Sequence, residues 1–119
     1  MPRREWRLRI EDMLERISTI QEYVHGLGRA DFAASSMVVG AVLHNLTIIG
    51  EAASHVPADI VAQHPDIRLR PIRAMRNVLA HRYFGVDLDL VWERVASDLP
   101  ALRTQLEQLL REVRPDEDA

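Results

Sequence analysis

The sequence predicts an all-α protein, an antiparallel bundle of four main helices with one short extra helix. Apolar residues recur three and four positions apart, as on one face of a helix. No segment shows the polar–apolar alternation of a half-buried strand, and the candidate helices are joined by short turns. The chain has 119 residues, 47% of them hydrophobic, which suits one core. We therefore expect a single domain over residues 1–114.

The first helix begins near Trp6. Gly26 and Gly28 follow its last apolar position and are expected to end it. Charged residues lie between the apolar ones, so one face should be buried and the other exposed. The predicted buried face consists of Ile10, Met13, Ile17, Ile20 and Val24.

The second helix is expected to start at a cap formed by Asp31 and to run to about Ser54. Residues 32–50 carry no charge, and their number approaches the ~20 that cross a bilayer. Serine, histidine and asparagine side chains interrupt this segment, and lipid tolerates them poorly. We therefore expect a helix enclosed by neighbouring helices and no membrane association.

Pro57 and Pro65 bracket the short extra helix. Pro71 suits the first turn of a third main helix, which should end near Tyr83. An apolar stripe with helical spacing supports this third helix. Its members are Ile72, Met75, Val78 and Leu79.

The last helix follows a turn at residues 85–87, and Pro100 is expected to kink or restart it. The acidic segment at 115–119 should fray, because it offers no apolar side chain of useful size to the core. The apolar positions of the last helix are Leu90, Val91, Val95, Leu99, Leu102, Leu106, Leu109 and Val113.

Composition limits the classes of function. Cysteine is absent, which excludes disulfides and thiolate metal sites and fits a reducing compartment. No apolar run follows the basic N-terminal residues, so export is not predicted. We expect a cytoplasmic protein. The net charge of −3 excludes a polycation that coats nucleic acid.

Positive charge is concentrated in one segment. All fifteen basic residues are arginines, and five of them lie between Asp66 and Asp87, where no acidic residue occurs. The planar guanidinium can donate two hydrogen bonds to one phosphate. The segment therefore indicates either a phosphate-binding surface or a solvated helix face. The five are Arg68, Arg70, Arg73, Arg76 and Arg82.

Function should depend on the outer face of the third helix. At 100° per residue, Arg76 and His81 are separated by roughly 140°, so a regular helix keeps them apart. They could act on one phosphate if the helix ends near His81 or if a second copy of the chain completes the site. Alternatively, Arg76 pairs with a carboxylate such as Glu51 or Asp87. The full outer face is Arg73, Arg76, Asn77, Ala80, His81, Tyr83 and Phe84.

The segment from Met75 to Asp87 closely resembles the HepT-like toxins of the HEPN superfamily. Their signature is an arginine, four to six residues, a histidine, any residue and a tyrosine, and this chain matches it with Arg76, His81 and Tyr83. The upstream run at 48–53, which contains Gly-Glu-Ala, adds to the resemblance. The likeness covers nearly the whole chain.

The resemblance implies an all-helical, metal-independent endoribonuclease without a cofactor. It also implies a homodimer whose two protomers form one shared cleft. The partner protein that it implies is a minimal nucleotidyltransferase, which acts as the antitoxin. Arg76 and His81 would then be catalytic, and Tyr83 would be the residue to which the partner attaches AMP. Three neighbours would bind RNA phosphate or support the catalytic pair: Arg73, Asn77 and Arg82.

Two alternatives remain from the residues themselves. The cationic face could dock a nucleotidyltransferase or a nucleotide without cutting RNA. His44, Glu51 and His55 are seven and four residues apart, so they share a helix face and could hold a metal ion. Pro57 disfavours helical geometry at the preceding residue, which weakens this metal site.

Overall fold

The structure is a computed structural model that describes residues 3–82 and 85–113, and within these ranges it contains helices and no strand. This confirms the predicted all-α class. A single π-helical turn, Arg94–Asp98, joins the last two helices. In chain order the helices are α1 (Arg3–Val24), α2 (Arg29–Ala34), α3 (Ser36–Ser54), α4 (Ala58–Gln63), α5 (Arg70–Arg82), α6 (Leu88–Glu93) and α7 (Leu99–Glu112).

The predicted second helix is two helices. The Gly28 amide donates to Asp31 Oδ2 at 3.0 Å, so Asp31 lies in the first turn of α2 and is not its cap. Ser35 is extended, and its hydroxyl accepts from the Val38 amide at 3.3 Å, which caps α3. The prediction of a cap at Asp31 was wrong because α2 begins two residues earlier, after Gly28. The prediction of one helix was wrong because an uncharged run does not reveal that a serine inside it breaks the helix.

Helix α3 lies at the centre of the bundle, in contact with both α1 and α5. Its length and hydropathy would allow it to cross a membrane. Its two neighbours cover part of the uncharged run, whereas Met37, His44 and Thr47 are exposed. Its buried residues are Val42, Leu43, Asn45, Leu46, Ile49, Gly50, Ala52 and Ala53.

Helices α1 and α7 pack in opposite directions. Near the start of α1, Arg7 donates to the Leu110 carbonyl at 3.5 Å, whereas Gln21 near its end accepts from Arg103. The two helices are therefore antiparallel. On the predicted apolar face of α1, Ile10, Met13, Ile17 and Ile20 are fully buried, and Val24 is partly buried.

The last helix restarts before Pro100, one of the two predicted outcomes. Leu99 donates to the Arg94 carbonyl, five residues back, which is the hydrogen bond of a π turn. An Arg94–Asp98 ion pair of 2.7 Å spans this turn. Because proline has no amide hydrogen, the wider turn places it where the helix can continue.

Candidate active site

The two faces of α5 have opposite characters. Ile72, Met75 and Leu79 are buried, so the predicted apolar stripe faces the core. Arg76 is half-buried and Asn77 is exposed on the remaining face. Because residues three and four apart share a helix face, the apolar residues of α5 pack against the bundle and its polar residues lie on the opposite face.

Gly50 sets the distance between α3 and α5. A Cβ atom at this position would lie 2.6 Å from Arg76 Cβ and 3.2 Å from the Ile72 carbonyl oxygen. Only glycine allows the two backbones to approach so closely. The same contact fixes the start of the Arg76 side chain against α3.

Arg76 and Glu51 form an ion pair between the two helices. Arg76 Nη2 lies 2.7 Å from Glu51 Oε2, with the side chains 40% and 48% exposed. The other carboxylate oxygen of Glu51 lies 3.2 Å from Nε2 of His55, the C-cap residue of α3. Glu51 thus holds the guanidinium in place while a little under half of each side chain remains open to solvent.

This environment lowers the pKa of Glu51. The hydrogen bond with His55 contributes most, and the positive charge of Arg76 contributes next. Both partners favour the charged carboxylate. Glu51 is therefore a carboxylate at neutral pH and is not suited to donate a proton.

Arg73 supports the end of α3. Its Nε and Nη2 atoms donate to the Ala53 carbonyl oxygen at 3.1 and 2.8 Å. This carbonyl belongs to the last turn of α3, where a positive charge is favourable, and it also accepts from the Val56 amide at 3.3 Å. The two hydrogen bonds fix the guanidinium plane. Among the described residues, no carboxylate forms an ion pair with Arg73.

A cleft of about 590 Å³ opens beside these arginines. One wall is the outer face of α5, and the other is formed by the end of α3 and by α4. Cationic and amide groups thus face an apolar surface across one cavity. The lining residues are Ser54, Val56, Ala58, Val61, Arg73, Arg76 and Asn77.

The structure brings only part of the predicted site together. Arg76 and Asn77 share the cleft with Arg73. His81 and Arg82 belong to the last turn of α5, but their side chains are outside the described part of the chain. Tyr83 also lies outside the described residues.

Two features of the site have little signal in the sequence. The carbonyl cap formed by Arg73 depends on where α3 ends in space, which no local pattern encodes. The apolar wall from α4 likewise depends on how that short helix folds back. Glu51 and Gly50 did carry a signal, because Glu51 was one of two candidate partners for Arg76 and both residues lie in the upstream Gly-Glu-Ala run.

Metal binding gains no support from the residues described. Within 3–82 and 85–113, no group of three or more histidine or acidic side chains could hold a metal ion. Glu51 contacts His55, the C-cap residue of α3. The other oxygen of Glu51 pairs with Arg76.

The fold and the site define an all-helical protein with a cationic cleft suited to phosphate. Comparison with known families gives a match to the HepT-like ribonucleases over residues 13–109. No solved structure matches the chain. The chain belongs to the HepT-like ribonuclease family, as the motif resemblance predicted, and its class of activity is that of an endoribonuclease.

Several curated proteins are similar over most of their length. A protein of Thermococcus cleftensis described as "Probable ribonuclease HepT" is 38% identical over 100 residues, covering 84% of this chain and 91% of the relative. A Methanocaldococcus jannaschii protein described as a "Putative RNase" is 30% identical over 113 residues, covering 95% of this chain and 93% of the relative. One from Caldanaerobacter subterraneus, with the same kind of description, is 30% identical over 102 residues, covering 86% and 91%.

Proposed function

We propose that this protein cuts RNA without a metal ion by attack of the 2'-hydroxyl, in a cleft completed by a second copy of the chain. The observation that carries this proposal is the position of Arg76. Glu51 and Gly50 hold its guanidinium at the mouth of a cationic cleft, beside Asn77 and on the same helix as His81. A fixed positive charge at this place can stabilise a phosphorane.

The reaction balances with groups from this chain. One His81 imidazole removes the proton of the 2'-hydroxyl, whose oxygen then bonds to the adjacent phosphorus. The bond from phosphorus to the 5'-oxygen breaks, and a second imidazole in its protonated form supplies a proton to that oxygen. The products are a 2',3'-cyclic phosphate and a 5'-hydroxyl. Arg76 balances the negative charge on the non-bridging oxygens.

A homodimer supplies the second imidazole. Helix α5 continues through Arg82, so the separation of roughly 140° between Arg76 and His81 applies to a regular helix. The alternative of a helix that ends near His81 stays open, because α5 ends at Arg82, one residue later. Two copies related by a two-fold axis would place an arginine from one α5 near a histidine from the other.

Tyr83 gives the protein a means of control. In the proposed toxin–antitoxin pair, a minimal nucleotidyltransferase transfers AMP from ATP to the Tyr83 oxygen and releases pyrophosphate. The added phosphate and nucleoside would oppose RNA by charge and by bulk. We place both proteins in the cytoplasm, where RNA and ATP are available. Mass spectrometry after incubation with the cognate transferase and ATP should detect AMP on the wild type and not on Tyr83→Phe.

Analysis of cleavage products tests the reaction. The protein is incubated with single-stranded RNA with and without EDTA, and the new ends are identified. Cleavage that persists in EDTA and leaves a 2',3'-cyclic phosphate supports the proposal. Products with a 3'-hydroxyl and a 5'-phosphate would indicate a metal-activated water. RNA binding without any cleavage would favour the binding-module alternative.

A further inference from the structure

We propose that the cleft between α4 and α5 seats one nucleotide, with its base against the apolar wall and its phosphate on the arginines. This inference rests on the proposed function and deepens it, because it names the part of the substrate that the protein recognises beside the cut. It depends on three features of the described residues.

The first feature is the size and composition of the cleft. Its volume of about 590 Å³ falls within the ~300–1,000 Å³ typical of small-ligand sites. A site for phosphate alone needs no apolar wall. Here Val56, Ala58 and Val61 form one, and burial of a flat base against aliphatic groups is favourable.

The second feature is the fixed guanidinium of Arg73. Two hydrogen bonds to the Ala53 carbonyl hold its plane, and no described carboxylate neutralises it. A guanidinium held in this way can stack on a base or contact a phosphate without further loss of side-chain freedom. Helix α5 places Arg76 one turn later, so the charge of the cleft continues into the candidate active site.

The third feature is the Asn77 carboxamide. It lines the same cleft and is exposed, and it offers one acceptor and two donor hydrogens. These groups can bond to the polar edge of a base while the ring contacts apolar side chains. The cleft thus presents charge, a flat apolar surface and a polar group, which are the three elements of nucleotide recognition.

Ala58 provides a variant that fills the cleft without entering the catalytic machinery. It is exposed and occupies the first position of α4. Ala58→Trp would occupy the space proposed for the base, and Ala58→Glu would add a negative charge that the first turn of a helix tolerates. The matched controls are Ala101→Trp and Ala101→Glu. Ala101 is an exposed alanine in the first turn of α7 that does not line the cleft.

Calorimetric titration of the full chain with each ribonucleoside 5'-monophosphate and with ribose 5-phosphate tests the site. At least one nucleotide should bind about tenfold more tightly than ribose 5-phosphate, the gain expected from seating one base. Both Ala58 variants should lose this gain, and both Ala101 variants should keep it. Equal binding of nucleotide and ribose 5-phosphate, or equal binding by the Ala58 variants and the wild type, would overturn the proposal.

Competition separates an RNA strand from a free nucleotide as the ligand. A short single-stranded RNA should displace the bound nucleotide, and failure to displace it would remove the link to the substrate. In the cleavage assay, Ala58→Trp should reduce the preference for the base beside the cut. Intact cleavage with an unchanged base preference would refute this subsite and leave the ribonuclease function standing. Nucleotide binding without any RNA cleavage would refute the ribonuclease function and leave the nucleotide site standing.

Discussion

Arg76 has a carboxylate partner in the free protein and a phosphate partner in the proposed reaction. The ion pair with Glu51 uses Nη2, and its two side chains are exposed enough for water to weaken the attraction. A phosphate can therefore approach the guanidinium without first removing a buried salt bridge. Glu51 limits the directions in which Arg76 can point, which reduces the entropy lost when RNA binds.

Replacement of Arg76 should remove the main positive charge at the reacting phosphate. We expect Arg76→Ala to lower kcat by about 10²–10³-fold, as the loss of one electrostatic donor does in other enzymes. Arg76→Lys should recover only part of this loss, because an ammonium lacks the bidentate fork. Single-turnover cleavage of a labelled RNA measures both. Full activity of Arg76→Lys would show that charge alone is needed.

His81 is the only histidine within the signature. His81→Ala should lower cleavage by about 10²–10⁴-fold, the usual contribution of general acid–base catalysis. The midpoint of thermal unfolding should stay near that of the wild type, because the residue lies off the apolar stripe of α5. His25→Ala is the control, since His25 is exposed in the turn after α1. Similar losses in both variants would contradict the assignment.

The lowered pKa of Glu51 makes stability depend on pH. The carboxylate is favoured in the folded state, so its stabilising effect is present above the ordinary glutamate pKa of the unfolded chain. This effect is lost as the pH falls through the lower folded pKa. Glu51→Gln should therefore reduce the free energy of unfolding at pH 7 but little at the acidic end. Urea unfolding of the wild type and Glu51→Gln at several pH values measures this difference. A difference in the free energy of unfolding that stays constant with pH would contradict the role of the Glu51 charge.

At the scale of elements, the site depends on the contact between α3 and α5. Gly50 permits the approach, Arg76 pairs with Glu51, and Arg73 caps the end of α3. Structure and candidate function thus share the same helix pair. A change that separates the two helices should disturb both stability and catalysis.

Two glycines in α3 allow a matched test of this contact. Gly50→Ala places a Cβ atom 2.6 Å from Arg76 Cβ, and we expect a loss of about 1–3 kcal/mol in stability together with reduced cleavage. Gly40→Ala meets no atom within 4 Å and should stabilise the helix by about 0.5–1 kcal/mol. Chemical unfolding and RNA cleavage are measured on both. Equal behaviour of the two variants would show that the close approach is unimportant.

At the scale of the whole molecule, net charge and local charge have opposite signs. The chain carries −3 overall, whereas the cleft contains two arginines. RNA should therefore be attracted to one face and repelled elsewhere. In the proposed dimer, two such clefts meet near the two-fold axis, and the arginines would repel each other until an anion binds.

A mixture of wild-type and inactive chains tests the shared site. Wild-type chains are mixed with an excess of His81→Ala chains, partially unfolded and refolded. In our proposal each site uses one His81 imidazole from each protomer, so a heterodimer has a single imidazole and should cleave slowly. Cleavage per wild-type chain should therefore fall below that of the wild type alone. Cleavage per wild-type chain that does not change would contradict a shared site, and so would an active monomer in sedimentation.

The sequence by itself determined the all-α class and the inner face of α5. Both depend on the spacing of apolar residues, which is a local property with a fixed helical period. The motif with Arg76 and His81 was also visible, because its residues lie within two turns of one helix. Local spacing failed at Ser35, where an uncharged run concealed the break between α2 and α3.

Only the tertiary structure decided which partners these residues have. The sequence left Glu51 and Asp87 as alternatives for Arg76, and the packing of α5 on α3 selected Glu51. The cap formed by Arg73 and the apolar wall from α4 join residues that are distant along the chain. The approach of α5 to α3 is set by the absence of a side chain at Gly50, which helical periodicity does not encode.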